Sequence, residues 1–247
     1  MVSRNQNVKA VQDSSIIILG VDPADVDATL RQEGLAQALA GKLLISVAAG
    51  WTRQTLESTI SSCQSPASKG GRTWVIRTLP NVAAQISQSL TAIEEPDPET
   101  PEEHVKTCEA IFSQIGRTVN VPPRLMSATT AVGGSTPAFW AIICDAFIDA
   151  SVAVGVPRGL AQQMIYQSMK GSAEMLQSGL QPSELRDMGT SPEGCTIGGI
   201  MVMEEAGVRG ALGKALRESV TLARLMGSGR SDLHVNDTKQ NTGKESS

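Results

Sequence analysis

The rhythm of apolar positions changes about halfway along the chain. In the first half they come as short continuous runs rich in β-branched residues: Ile16 to Val21, Leu43 to Ala48 and Trp74 to Arg77, with Leu90 to Ile93 and Thr118 to Val121 as two shorter ones. Such runs read as strands buried on both faces, the pattern of parallel sheets. Between them, residues 24–40 show helical spacing after the Asp22-Pro23 break, and Thr52 is placed to cap a helix containing Thr55 and Leu56. Residues 64–71, rich in Ser, Gly and Lys, predict a loop. Residues 94–103, acidic and proline-bearing, predict a solvated loop leading into a helix with Glu102 and Glu103 in its first turn. Alternating strands and helices call for an α/β sheet with crossover helices.

From about Pro122 the spacing is helical throughout. It predicts helices over 123–132, 137–154, 158–177 and 195–226, with Pro157 in the first turn of the third and Gly155 and Gly179 at helix ends. The expected organisation is a sheet domain over 1–121, an all-α domain over 122–227 and a polar, disordered tail over 228–247.

Charge narrows the function. The net charge is −4 with no block of Lys or Arg, which argues against a nucleic-acid binder. No apolar run reaches the roughly 18–20 residues of a membrane span, and Met1 to Asn7 carry no apolar signal core, so no membrane partner and a cytoplasmic setting are expected. Cys63, Cys108, Cys144 and Cys195 stand far apart, which indicates neither a zinc site nor a disulfide framework. With His104 and His234 as the sole histidines, a histidine triad or metal site has little material. Catalysis is left to hydroxyls, backbone groups and a bound cofactor.

A dinucleotide fold usually announces itself as G-x-G-x-x-G after a strand, because those glycines let backbone N–H groups approach a pyrophosphate. No such motif follows any of these strands. The specific motifs lie in the second half: Ala131-Val132-Gly133-Gly134-Ser135-Thr136-Pro137-Ala138-Phe139, then Gly155-Val156-Pro157-Arg158, then Ser191-Pro192-Glu193-Gly194-Cys195-Thr196, then Glu204-Glu205-Ala206-Gly207. In order and spacing they resemble the pyrroline-5-carboxylate reductase family, with its S-G-S-G-P-A-Y helix entry, G-L-P-R turn and S-P-G-G-x-T loop. Upstream, Asn7 to Pro23, Ser46 to Gly50 and Arg77 to Asn81 resemble further stretches of that family.

The resemblance implies a partial Rossmann-like parallel sheet domain followed by an all-α helical dimerisation domain. It implies that NADPH or NADH delivers hydride to the C=N carbon of a small cyclic imine, giving proline from 1-pyrroline-5-carboxylate. It implies a homodimer or higher homo-oligomer, with the substrate at the subunit interface. Ser191, Gly194, Cys195 and Thr196 take the substrate-binding positions, and Thr196 that of proton donor to the imine nitrogen. Asn7, Val21, Ala48, Ala49, Gly50 and Asn81 take the cofactor-side positions. What the resemblance does not find is the family's first strand–helix–strand unit, so cofactor binding is expected to be weakened or lost if the chain is complete.

Plainer readings stand beside these. Ser191 also suits a helix cap with Pro192 in the first turn, Gly133 to Pro137 an interhelix turn, Ala48 to Gly50 an ordinary strand-to-helix turn, and Asn81 a local cap. The chain also departs from the family pattern. Asp22 replaces a lysine, Val82-Ala83 replaces Thr-Pro, Glu193 replaces the first glycine of the loop, Gly133 and Thr136 replace a serine and a glycine, and Phe139 replaces a tyrosine. These shifts favour a related imine or a larger, less anionic substrate, with a specialised biosynthetic pathway as one setting. The alternatives are a cofactor-free ligand-binding dimer and a non-redox catalyst such as a cyclase.

Overall fold

The computed structural model describes residues 6–64 and 71–226. The expected tail at 228–247 lies outside the described residues, as does most of the loop expected at 64–71. The chain divides into two compact units, one running to Ser135 with the stretch from Leu216, the other Thr136–Ala215.

All five strands read from the sequence are present. Helix α1 (Asn7–Gln12) leads into β1 (Ile16–Leu19), and α2 (Val26–Leu30) and α3 (Leu35–Ala38) lead into β2 (Leu43–Ser46). The single helix expected over 24–40 is therefore broken, at a turn where Gly34 takes φ +85°. Then come α4 (Arg53–Cys63), β3 (Trp74–Leu79), β4 (Ser89–Glu94), α5 (Glu102–Ser113) and β5 (Gly116–Val121). Thr52 caps α4 as expected, its Oγ1 accepting from Thr55 N at 3.1 Å.

The strands lie in the order β1-β2-β3-β4-β5. All neighbours are parallel except β3 and β4, which are antiparallel. The cause is the short link over residues 80–88, since a parallel return needs a crossover of a dozen or more residues. β2 is the central strand of the parallel part, and all four of its residues are buried. Leu44 and Val75 face a core formed with α2, α3 and α4, while Leu43, Ile45, Ile76 and Ile93 face Cys108 and Phe112 of α5. At the start of β5, Gly116 crosses so close to β4 that a Cβ there would overlap the Ser89 backbone.

After β5 a helix runs without a break from Pro123 to Ala153. It comprises a 3₁₀ turn, α6 (Met126–Thr129), a wide π turn (Thr130–Ser135) and α7 (Thr136–Ala153). Gly133-Gly134 therefore widens the helix and does not end it. Among the described residues this is the one helix long and apolar enough to cross a membrane, by length and composition alone. Reading it as two helices hid that length.

The second unit continues with α8 (Arg158–Gln177), α9 (Pro182–Met188) and α10 (Cys195–Glu205), and α11 (Val208–Met226) belongs to it as far as Ala215. The helix expected over 195–226 is two, parted at Gly207, whose φ of +68° an ordinary helix residue does not adopt. The short α9 carries a single turn of apolar spacing and escapes a periodicity search.

Candidate active site

β1, β2 and β3 run in parallel, so their carboxyl ends share one edge. That edge is where ligands bind in open α/β sheets. Val21, Ala48, Ala49, Gly50 and Asn81 all follow its strands within four residues. Two bonds tie the loops there together: Val47 N donates to Leu19 O at 3.1 Å, and Trp51 Nε1 donates to Pro23 O at 2.8 Å. Ala48 is buried in the core, and Gly50 takes φ +80°. Asn7 is placed differently, on α1, where its amide donates to Gln32 Oε1 at 3.1 Å.

The substitution of an acid at Asp22 has a local explanation. Its Oδ1 accepts from Ala24 N at 3.0 Å and caps the 3₁₀ turn Pro23–Asp25. The carboxylate thus serves the backbone at the end of β1.

Asn81 is more heavily used. Its Oδ1 accepts from Ala83 N at 3.1 Å, its Nδ2 donates to Gly133 O at 2.9 Å, and its own N donates to Ser89 Oγ at 3.0 Å.

Beneath the edge lies a charge cluster that sequence reading missed. Arg77 Nη1 donates to Glu94 Oε2 at 3.3 Å, and both side chains are almost wholly buried. Arg53 Nε stands 3.7 Å from Glu94 Oε1, near enough for attraction but not for a hydrogen bond. Burial pulls the Arg77 guanidinium below its ordinary pKa, and Glu94 opposes that pull. An arginine inside an apolar strand was a signal that some acid must lie opposite, but only the antiparallel register could name Glu94.

In the helical unit, Ser191–Gly194 forms a tight turn closed by Gly194 N donating to Ser191 O at 3.0 Å. Pro192 takes the second position and Glu193 the third, with φ +58°. This is the type II pattern, whose third position normally needs glycine. Gly194 caps α10, and a Cβ on it would lie 2.5 Å from Ser191 Oγ. Ser191 is thus the corner of the turn and not the helix cap. The first bond of α10 is Gly198 N to Gly194 O at 3.2 Å, so the N–H groups of Cys195, Thr196 and Ile197 precede the helical ladder. Ser191, Glu193, Cys195 and Thr196 are exposed in the single chain.

An apolar cavity of about 550 Å³ lies elsewhere, between α7 and α8, lined by Trp140, Cys144, Phe147, Met169 and Leu176. It forms part of a broader apolar face, with Trp140 54% and Ile142 70% exposed.

Residues 123–226 match the family model described as pyrroline-5-carboxylate reductase dimerisation. A pyrroline-5-carboxylate reductase from Lophium arboricola is 40% identical over 230 residues, spanning 92% of this chain and 72% of that protein. The chain belongs to the pyrroline-5-carboxylate reductase family. Another reductase of that name, from Neurospora crassa, is 36% identical over 97% of this chain and 74% of its own length. Residues 1–50 match a second model, described as NADP oxidoreductase, coenzyme F420-dependent. The fold is that of the Plasmodium falciparum pyrroline carboxylate reductase, solved with NADP bound, at TM-score 0.80 and 24% identity over 92% of this chain and 81% of that one. The apolar helix Pro123–Ala153 lies wholly within the region matched to dimerisation.

Proposed function

We propose that the protein is an NAD(P)H-dependent reductase of a small cyclic imine, acting as a homodimer or larger homo-oligomer. Residues 1–121 form its cofactor part and 122–227 its substrate and assembly part. The observation that carries this reading is the Ser191–Gly194 turn opening α10, within the region matched to the family. Free N–H groups at a helix start favour an anionic or acceptor group on the substrate. The Thr196 hydroxyl, in that first turn, is the donor in reach of an imine nitrogen. It would hold, and then give up, the proton that the nitrogen gains on reduction.

The residues at the sheet edge fit a nicotinamide cofactor. Ala48 to Gly50 offer backbone with little side chain at the carboxyl end of β2, and Val21 adds an apolar wall. NADPH or NADH, when bound, supplies the hydride. The chain's own part is to hold the two reactants about 3–3.5 Å apart and keep water away.

The imine is 1-pyrroline-5-carboxylate or a related one of a specialised biosynthetic pathway. Glu193 favours the latter. A carboxylate one residue before the helix cap opposes a second carboxylate on the substrate. The test is titration of the purified chain with NADPH, followed by absorbance with 1-pyrroline-5-carboxylate and with an uncharged 1-pyrroline. Saturable binding and imine-dependent loss of NADPH are expected, and the uncharged imine should be the better substrate. No binding at millimolar NADPH would instead favour a cofactor-free role.

A further inference from the structure

We propose that Asn81 is a positioning residue, a latch that fixes the π turn Thr130–Ser135 through Gly133. The proposal rests on reading the sheet edge as the cofactor side. On that reading Asn81 would contact the cofactor directly, but its side chain is already engaged at both ends. Oδ1 holds the turn after β3 through Ala83 N, and Nδ2 reaches across 52 residues to Gly133 O at 2.9 Å. The backbone N of Asn81 is held as well, by Ser89 Oγ, itself buried in β4. The donor is therefore anchored to the sheet on two sides.

The acceptor sits in a π turn of the helix. A π turn departs from the ordinary ladder and is rare enough to mark a functional or strained position. Its two glycines have no steric reason to be glycine: a Cβ on Gly133 or Gly134 would meet nothing within 4 Å, and neither takes a positive φ. What they contribute is softness, since glycine in a helix favours opening about five-fold over alanine. Two residues later, at Thr136, the second unit begins. A soft turn held by an amide from the β3 loop loosens when that amide is lost.

Hydride transfer requires the donor and acceptor carbons at near-contact distance, so loosening the turn lowers turnover without removing any group that grips the cofactor. Asn81→Asp tests this, because it keeps the acceptor for Ala83 N and deletes the donor to Gly133 O. In ligand-free protein, amide hydrogen exchange over residues 130–138 should quicken about five-fold and stay unchanged in β1 to β3. Adding Gly133→Ala and Gly134→Ala should restore slow exchange, because a stiffer helix needs no latch. In kinetics, kcat should fall about ten-fold or more while the Kd for NADPH moves less than about three-fold. Unchanged exchange at 130–138, or faster exchange throughout the sheet, overturns the latch. So does a loss of NADPH affinity as large as the loss in kcat, which would return Asn81 to the role of a cofactor contact. The exchange arm is run without ligand. Failure of the wild-type chain to bind NADPH would therefore sink the reading of the edge and leave the latch to be decided by exchange alone.

Discussion

In the sheet unit, Leu43, Leu44, Ile45, Val75 and Ile76 are closed off from water by helices on both faces. In the helical unit, α7 and α8 leave Trp140, Ile142, Phe147 and Met169 open to it. The difference separates two ways of satisfying an apolar sequence. The parallel strands find their cover within the chain, whereas a flat pair of helices exposes more apolar surface than a lone soluble protein usually shows. The face lies in the region matched to dimerisation, and a second copy is the cover it fits. Stability of the first unit should then be a property of the chain, and stability of the second a property of its concentration.

The hardest blow to the sheet unit is loss of Glu94. Glu94→Ala should cost about 3–5 kcal/mol by chemical denaturation at any protein concentration, because it strands Arg77 in the core. On the other side of the comparison, Phe147→Asp should leave the far-UV spectrum unchanged. It should weaken assembly by about 2 kcal/mol or more, seen by sedimentation as a shift to the monomer of 26.0 kDa. If Phe147→Asp sediments as wild type, α7 is not part of the interface.

Two cysteines sharpen the contrast further. Burial pushes the Cys108 thiol up to about 12, from an ordinary 9.0, whereas Cys195 is exposed at the start of α10. The folded state keeps the Cys108 proton that the unfolded chain releases, so this contribution is intact below pH 9.0 and is lost as pH rises toward 12. The stability difference between wild type and Cys108→Ala should shrink by about 1.4 kcal/mol per pH unit across that window. A thiol reagent at neutral pH should modify Cys195 and spare Cys108.

The smallest effect is the most local. Glu193→Gly removes a side chain from a left-handed position and should stabilise the protein by about 1 kcal/mol. It should also raise kcat/KM for 1-pyrroline-5-carboxylate relative to 1-pyrroline; an unchanged ratio would show that the Glu193 carboxylate plays no part in selection.

Much of the sheet unit was legible in advance because a buried strand writes itself as an unbroken β-branched run. Ile16 to Leu19 and Leu43 to Ser46 needed no tertiary knowledge. The antiparallel turn at β4 lies in the shortness of the link over 80–88 and not in the strand's own residues, so a reading of apolar runs alone passed over it. The Arg77–Glu94 pair hid for the same reason. In the helical unit, periodicity found α7 and α8 but merged α10 with α11, since Gly207 breaks the helix through its φ and leaves the apolar spacing intact. The motif residues Ser191 to Thr196 were found by resemblance alone. Spacing made Ser191 a cap, whereas the structure makes it the corner of a turn that Gly194 then caps.

Hydride transfer to the imine carbon is the central claim. NADPH deuterated on the transferred face of C4, incubated with the purified chain and 1-pyrroline, should yield pyrrolidine carrying one deuterium on the former imine carbon, and Thr196→Ala should slow its formation about ten-fold or more. Recovery of the imine unchanged, or of pyrrolidine without that deuterium, would contradict the account.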